Sequence, residues 1–321
     1  MAMVERSIDD RTLTVAAYLE SYLSDVRPRV RARTHQGYAG LIRCYAIPAI
    51  GEIPLQDLHP LHLQRMYADL LERGGMRGML STGTVLNLHR VMTQALGWAK
   101  RFGLIADNPA AAARPPRARR PEMAIVDAAY CSAVLEAASG TKLELAVALA
   151  ISTGMRRGEI LGLRWSDVSA DLSLAQVRRS LQTTGGRLLF EEPKTRRSRR
   201  AVALPVFLHP YLERQRTDQG MRRQALGEHW VMSDLLIDSG DGSAVNPNTL
   251  SSGWRRMLRL AGLPHVRFHD LRHGHATLML LAGVHPKVVS ERLGHASVGI
   301  TLDTYSHVLP TMQSEAALAF D

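Results

Sequence analysis

Cysteine is nearly absent from the 321-residue chain: only Cys44 and Cys131 occur, far apart and in no CxxC pair. That excludes a disulfide-stapled secreted fold and a thiolate zinc ribbon, and it points to free thiols in a reducing compartment. Aromatic residues make up only 5 %, so the cores must be built from Leu, Val and Ala. No apolar run reaches the length of a membrane span, and the polar stretch from Met1 to Arg11, with its acidic residues, is no signal peptide. A soluble, cytoplasmic protein with no membrane contact is expected. Acidic residues are the minority charge, 30 Asp plus Glu against 40 Lys plus Arg, for a net charge of +10 and a pI near 10.1. Such an excess points to a polyanion, most often nucleic acid, although an ordinary basic enzyme can carry it too.

The length suggests two domains. After a tail over residues 1–11, residues 12–107 read as helices. Leu13, Ala16, Leu19, Tyr22 and Leu23 form a first apolar face. Thr34 reads as the N-cap of a second helix, His59-Pro60 opens a third, and Ser81 or Thr82 starts a fourth. Residues 108–122 combine prolines with Arg114, Arg117, Arg119 and Arg120 and lack large apolar groups, so they read as an extended basic linker. Its arginines are either merely solvated or a strap on nucleic-acid phosphates that lets the two domains clamp DNA. From residue 123 to 321 helices mix with three strand-like runs, Leu174–Leu181, Arg187–Phe190 and Ala201–Leu204, with a hairpin turn at Thr184-Gly185-Gly186. The expected class is mainly α: a helical N-terminal domain plus a mixed α+β domain holding a small three-stranded antiparallel sheet.

The densest chemistry lies in Phe268-His-Asp-Leu-Arg-His-Gly-His-Ala-Thr277. His269 and Arg272 stand three apart and share one face of an amphipathic helix whose polar end is its N-terminus. An Arg and a His at a helix start suit a phosphate or another anion. Other candidates are weaker alone. Arg156 in Thr153-Gly-Met-Arg could be a surface turn, and Lys194, among Arg196, Arg197, Arg199 and Arg200, could be a solvated charge run. His295 after Leu293-Gly294 could be a packing residue, and Tyr305 a half-buried one. The cluster His265, His269, His273 and His275 raises zinc, but His273 and His275 lie two apart and face differently on a helix, with no cysteine pair or HExxH nearby.

In this order, TGMR, a basic-loop lysine, HDLR, LGH and a following tyrosine, the chain resembles the tyrosine recombinase (phage integrase) family over nearly its whole length. The resemblance implies a core-type DNA-binding domain over 12–107 and a catalytic domain from 123. It implies a site-specific recombinase that acts on double-stranded DNA as a tetramer on paired sites, with neither metal nor other cofactor. Arg156 and Arg272 would hold the nonbridging oxygens of the scissile phosphate, and His269 and His295 would hydrogen-bond it and help manage the tyrosine's proton. Tyr305 would attack to give a 3′-phosphotyrosyl enzyme, and Lys194 would protonate the leaving 5′-oxygen. Glu159 would orient Arg156 or a histidine. The tail before the first helix is too short for the arm-type DNA-binding domain of many integrases. Two alternatives remain: a type IB topoisomerase-like nicking and resealing enzyme, and a regulator that keeps the fold without the chemistry.

Overall fold

A computed structural model describes residues 13–74, 78–117, 126–192 and 199–305, with side chains up to Leu302. The chain divides into two units, Met1–Glu122 and Met123–Asp321.

The first unit is helical. Helix α1 (Val15–Val26) starts at Thr14, whose hydroxyl accepts from Ala17 N–H, and it buries Val15, Leu19, Tyr22 and Leu23. Helix α2 (Ala32–Leu41) begins two residues before the expected cap at Thr34. Val30 and Arg31 are extended after a 3-10 turn at Arg27–Arg29, and the helix starts directly from them, so Thr34 falls inside its first turn. The helix continues through a π-turn, Ile42–Ala46, into α3 (Ile47–Ile50). Pro48 has no N–H to offer the carbonyl four residues earlier, which favours such a widened turn. Helix α4 (Pro60–Glu72) opens on proline as expected, and α5 (Thr82–Arg101) is capped by Ser81, whose hydroxyl accepts from Thr84 N–H. Leu63, Leu88, Met92 and Leu96 are fully buried between these helices. The short helix α6 (Pro109–Ala112) corrects the linker's start: Pro109, Ala110 and Ala113 are buried, the two alanines in the same core. Arg114 and Arg117 are exposed, and residues 118–122 lie outside the described residues.

The second unit is organised around α8 (Glu144–Thr153), in which Leu145 through Ala150 are all buried. A helix apolar all round belongs at a centre, and its alanines let neighbours approach. Helix α7 (Ala128–Ala138) packs on it, and α9 (Arg157–Gly162) follows after the Gly154 turn. The β part comprises β1 (Leu174–Val177), β2 (Ser180–Thr184), β3 (Arg187–Glu191) and β4 (Arg200–Ala203). Among the described residues these make two antiparallel ladders rather than one three-stranded sheet: β1 pairs β4 from Leu174↔Ala203 to Val177↔Arg200, and β2 pairs β3 from Ser180↔Glu191 to Thr184↔Arg187. The run expected over Leu174–Leu181 breaks at Arg178-Arg179, where Arg179 is drawn to the buried carboxylate of Asp167 and the chain changes partner. The rest is helical: α10 (His209–Leu226), α11 (Pro247–Leu260), α12 (Asp270–Leu281), α13 (Pro286–Leu293) and α14 (Val298–Tyr305). Trp254 is the largest fully buried side chain, in a core otherwise mostly Leu, Val, Ile and Ala. No helix among the described residues is long and apolar enough to cross a membrane.

Candidate active site

The site starts at two chain reversals. Helix α8 ends at Gly154, which takes the left-handed conformation at φ 63°, and α13 ends at Gly294 at φ 69°. Both turns favour glycine on backbone grounds. Space demands it as well: a Cβ on Gly154 would lie 2.6 Å from the His275 ring and from Leu293, and one on Gly294 would crowd the Arg200 guanidinium at 3.0 Å.

Arg272, in the first turn of α12, ties these ends together. Its Nη1 donates to Gly154 O at 2.8 Å and its Nη2 to Leu293 O at 2.7 Å. It is only 3 % exposed, so the polar start of this helix carries a buried arginine. The carbonyls at a helix C-terminus carry partial negative charge, and a guanidinium between two such ends offsets part of its desolvation.

Arg156 stands at the entrance to α9. Its backbone N–H donates to Glu159 Oε2 at 2.9 Å, its Nη1 to Oε1 at 2.8 Å, and its Nη2 reaches Gly294 O at 3.4 Å. Its side chain is 40 % exposed, against 5 % for Glu159. Glu159 is also held by Arg200, Nη2 to Oε2 at 2.9 Å and Nη1 to Oε1 at 3.2 Å. Burial alone would raise the Glu159 pKa; Arg200 first, then Arg156, hold it below the usual carboxylate range.

The histidines complete the arrangement. His295 follows Gly294, and its Nδ1 is 2.8 Å from Thr301 Oγ1. Thr301 is fully buried on α14, whose last residue is Tyr305. His269 precedes α12, is exposed, and meets the His273 ring edge-on at 5.3 Å. Desolvation first, then Arg272 and Arg156, pushes the half-buried His295 down to about 4. Desolvation on its packed side, then His273 and Arg272, lower His269 in the same direction, while its exposed side stays in water and limits the shift. At neutral pH the site therefore combines arginine charge with uncharged imidazoles, which can donate or accept a hydrogen bond.

Residues 126–312 match the phage integrase family, and residues 14–71 match the phage integrase N-terminal SAM-like domain. The chain belongs to the phage integrase family. As a member it is a site-specific DNA recombinase, an enzyme of DNA recombination and integration. Its relatives include a XerC-like tyrosine recombinase of Caldanaerobacter subterraneus subsp. tengcongensis, 26 % identical over 97 % of this chain and 83 % of that one. The ICEBs1 integrase of Bacillus subtilis is 31 % identical over 54 % of this chain and 47 % of its own length. In fold, the chain is similar to the Tn1549 transposon integrase solved with transposon right end DNA, at TM-score 0.79 and 20 % identity, covering 95 % of this chain and 98 % of that one. It is also similar to lambda integrase solved as a tetramer on a Holliday junction, at TM-score 0.67 and 21 % identity, covering 92 % and 81 %.

Within this recombinase the geometry gathers Arg156, bound to Glu159, and Arg272 on the Gly154 and Leu293-Gly294 carbonyls, with His295 the next residue after Gly294 and His269 at the head of the helix that carries Arg272. Lys194, Arg119 and Arg120 lie outside the described residues, and of Tyr305 only its place at the end of α14 is described. His275 is buried, with Nδ1 on Ile151 O at 2.8 Å and Nε2 facing Arg292 Nε at 3.2 Å. Among the described residues no three His, Cys, Asp or Glu are grouped to hold a metal ion. Three supporting residues escaped the sequence reading: Arg200, Arg292 and Thr301. A signal existed for Arg200. It shares one strand face with Val202 and, beyond the strand end, Leu204, both buried, so a period of two places this arginine inward.

Proposed function

We propose that Tyr305 cleaves one DNA strand by attacking the scissile phosphodiester, giving a 3′-phosphotyrosyl enzyme and a free 5′-hydroxyl. Arg156 and Arg272 hold the nonbridging oxygens, on which charge develops in the transition state. His269 and His295, uncharged before DNA arrives, hydrogen-bond the phosphate and take up the phenol's proton. Lys194 protonates the leaving 5′-oxygen. Attack by a 5′-hydroxyl on the phosphotyrosine reverses the chemistry, so the bond energy is kept and resealing needs neither ATP nor metal. The N-terminal unit grips the duplex, Arg114, Arg117, Arg119 and Arg120 meet backbone phosphates, and a tetramer on two paired specific sites exchanges strands in turn. The lambda integrase tetramer supports that last step by likeness of fold.

One observation carries the assignment: two arginines remote in sequence converge on the Gly154 and Leu293-Gly294 carbonyls, beside a histidine bonded to the helix that ends in Tyr305. The test is covalent capture on a nicked suicide duplex made from the junction DNA bordering the chain's own gene. A denaturation-resistant protein–DNA adduct is expected, and none with Tyr305→Phe. An undiminished adduct with Tyr305→Phe would overturn the choice of nucleophile.

A further inference from the structure

Arg200 is a buried cation to which the proposed chemistry gives no task. It opens β4, and its side chain is 6 % exposed, so it is poorly placed to meet DNA. Its Nη atoms contact both oxygens of Glu159, at 2.9 and 3.2 Å, and its Nε donates to Arg292 O at 2.6 Å, on the last turn of α13. One planar fork thus ties α9, through Glu159, to the end of α13 that carries Gly294 and His295. Arg292 in turn donates to Ser152 O and Ala203 O, so α8 and β4 join the same lattice.

The charge balance gives Arg200 its meaning. Glu159 is a buried carboxylate that touches Arg156. Alone, that pair is neutral, and an arginine neutralised by its own carboxylate has little charge left for a phosphodiester. With Arg200 supplying the second positive charge from the interior, the triad Arg156–Glu159–Arg200 carries one net positive charge. The exposed member, Arg156, is the one that can present it. We propose that Arg200 is a positioning residue for strand cleavage, neutralising Glu159 from the buried side so that Arg156 keeps both its aim and its charge for the scissile phosphate. This rests on the reading of Arg156 as a phosphate-holding group.

The mechanism makes a compensation test available. Arg200→Met leaves Glu159 to neutralise Arg156. Single-turnover cleavage of the suicide duplex should then fall on the order of 10²-fold, the usual scale for losing one transition-state electrostatic contact. Duplex affinity in a gel-shift assay should change little. Adding Glu159→Gln removes the uncompensated charge and should restore the rate at least about tenfold over Arg200→Met alone, about 1.4 kcal/mol of transition-state energy. A merely structural Arg200 would gain nothing from a second buried substitution. If Arg200→Met does not fold by circular dichroism, Arg200→Lys decides: it keeps the charge beside Glu159 but cannot reach Arg292 O as well, and it should stay within about tenfold of the parent rate. A collapse in Arg200→Lys equal to that of Arg156→Ala, or no rescue by Glu159→Gln, overturns the proposal. Parental cleavage by Arg156→Ala would instead overturn the reading beneath it.

Discussion

His275 should make the second unit acid-labile, and the size of the effect follows from its two hydrogen bonds. The Ile151 carbonyl can only accept, so Nδ1 carries the ring proton. Arg292 Nε–H donates to Nε2, which must keep its lone pair. A second proton would land on Nε2, opposite a guanidinium. Burial first, then Arg292, holds the pKa down to about 4 against an ordinary 6.5. Between those values the unfolded chain binds more protons than the folded one, so the stability at stake is complete above pH 6.5 and is lost as the pH falls toward 4. At 1.36 kcal/mol per pH unit the whole loss is about 3 kcal/mol, of which about 2 is reached by pH 5. The ring is 7 % exposed, so solvent screening takes little away.

The perturbation is His275→Asn, which keeps a donor near Ile151 O and does not titrate. Urea unfolding at pH 7.5 and 5.0, followed by tryptophan fluorescence in a Trp98→Phe background, isolates the right unit, because Trp165, Trp230 and Trp254 all lie beyond residue 123. The substitution itself weakens the fold by about 1–3 kcal/mol at both pH values through the acceptor lost to Arg292. The decisive quantity is therefore the difference between the two pH values. The parent should lose about 2 kcal/mol more than His275→Asn on going to pH 5.0. His269 and His295 titrate in both proteins and cancel. Equal pH dependence would refute a neutral His275 and with it the assigned tautomer.

Lys194→Ala should slow cleavage of ordinary DNA strongly and be largely rescued by a 5′-bridging phosphorothiolate, whose sulfur leaves without a proton; equal defects on both substrates would remove the general-acid role. Replacing Arg117, Arg119 and Arg120 with Ala should weaken binding to specific and random duplexes alike and make the slope of log K against log salt shallower by up to roughly three; an unchanged slope would mean a solvated tether. A bound phosphodiester offsets the positive charge around His269 and His295, so DNA binding should raise their pKa back toward the ordinary 6.5 and take up protons, with affinity rising as the pH falls below about 6.5. Calorimetry in buffers of different ionisation enthalpy measures that uptake, and its absence would place both histidines away from the phosphate.

What could be read in the sequence was what neighbouring residues decide. Ser81 before an apolar stripe, Pro60 at a helix start and Gly185-Gly186 between two strands each act through their own backbone, and each element stands where it was expected. The break at Arg178-Arg179 was hidden because both sides have strand composition, and the partner that bends the chain, Asp167, lies in a separate 3-10 turn. The candidate catalytic residues were legible by type and order, but their surroundings were not. The links from Arg272 to Gly154 and from Arg156 to Gly294 span more than a hundred residues, and no periodicity reports such a closure. Arg200 shows the reverse failure: the local alternation pointed inward, yet a run of arginines drew the reading toward solvent.

Burying Arg272 while leaving Arg156 half open has a physical logic. A cation that must meet a phosphodiester needs an aim, and aim comes from bonds to rigid groups. Arg272 takes bonds from carbonyls at the ends of two helices, which supply partial negative charge and leave the guanidinium's own charge in place. Arg156 takes its aim from a carboxylate, which would cancel it, and so it works only with a second arginine behind that carboxylate. The two arginines proposed to hold the phosphate are thus both fixed by hydrogen bonds, by different routes. The HxxR half of the site depends on the two glycine turns at Gly154 and Gly294, and the TGMR half depends on Glu159 and Arg200.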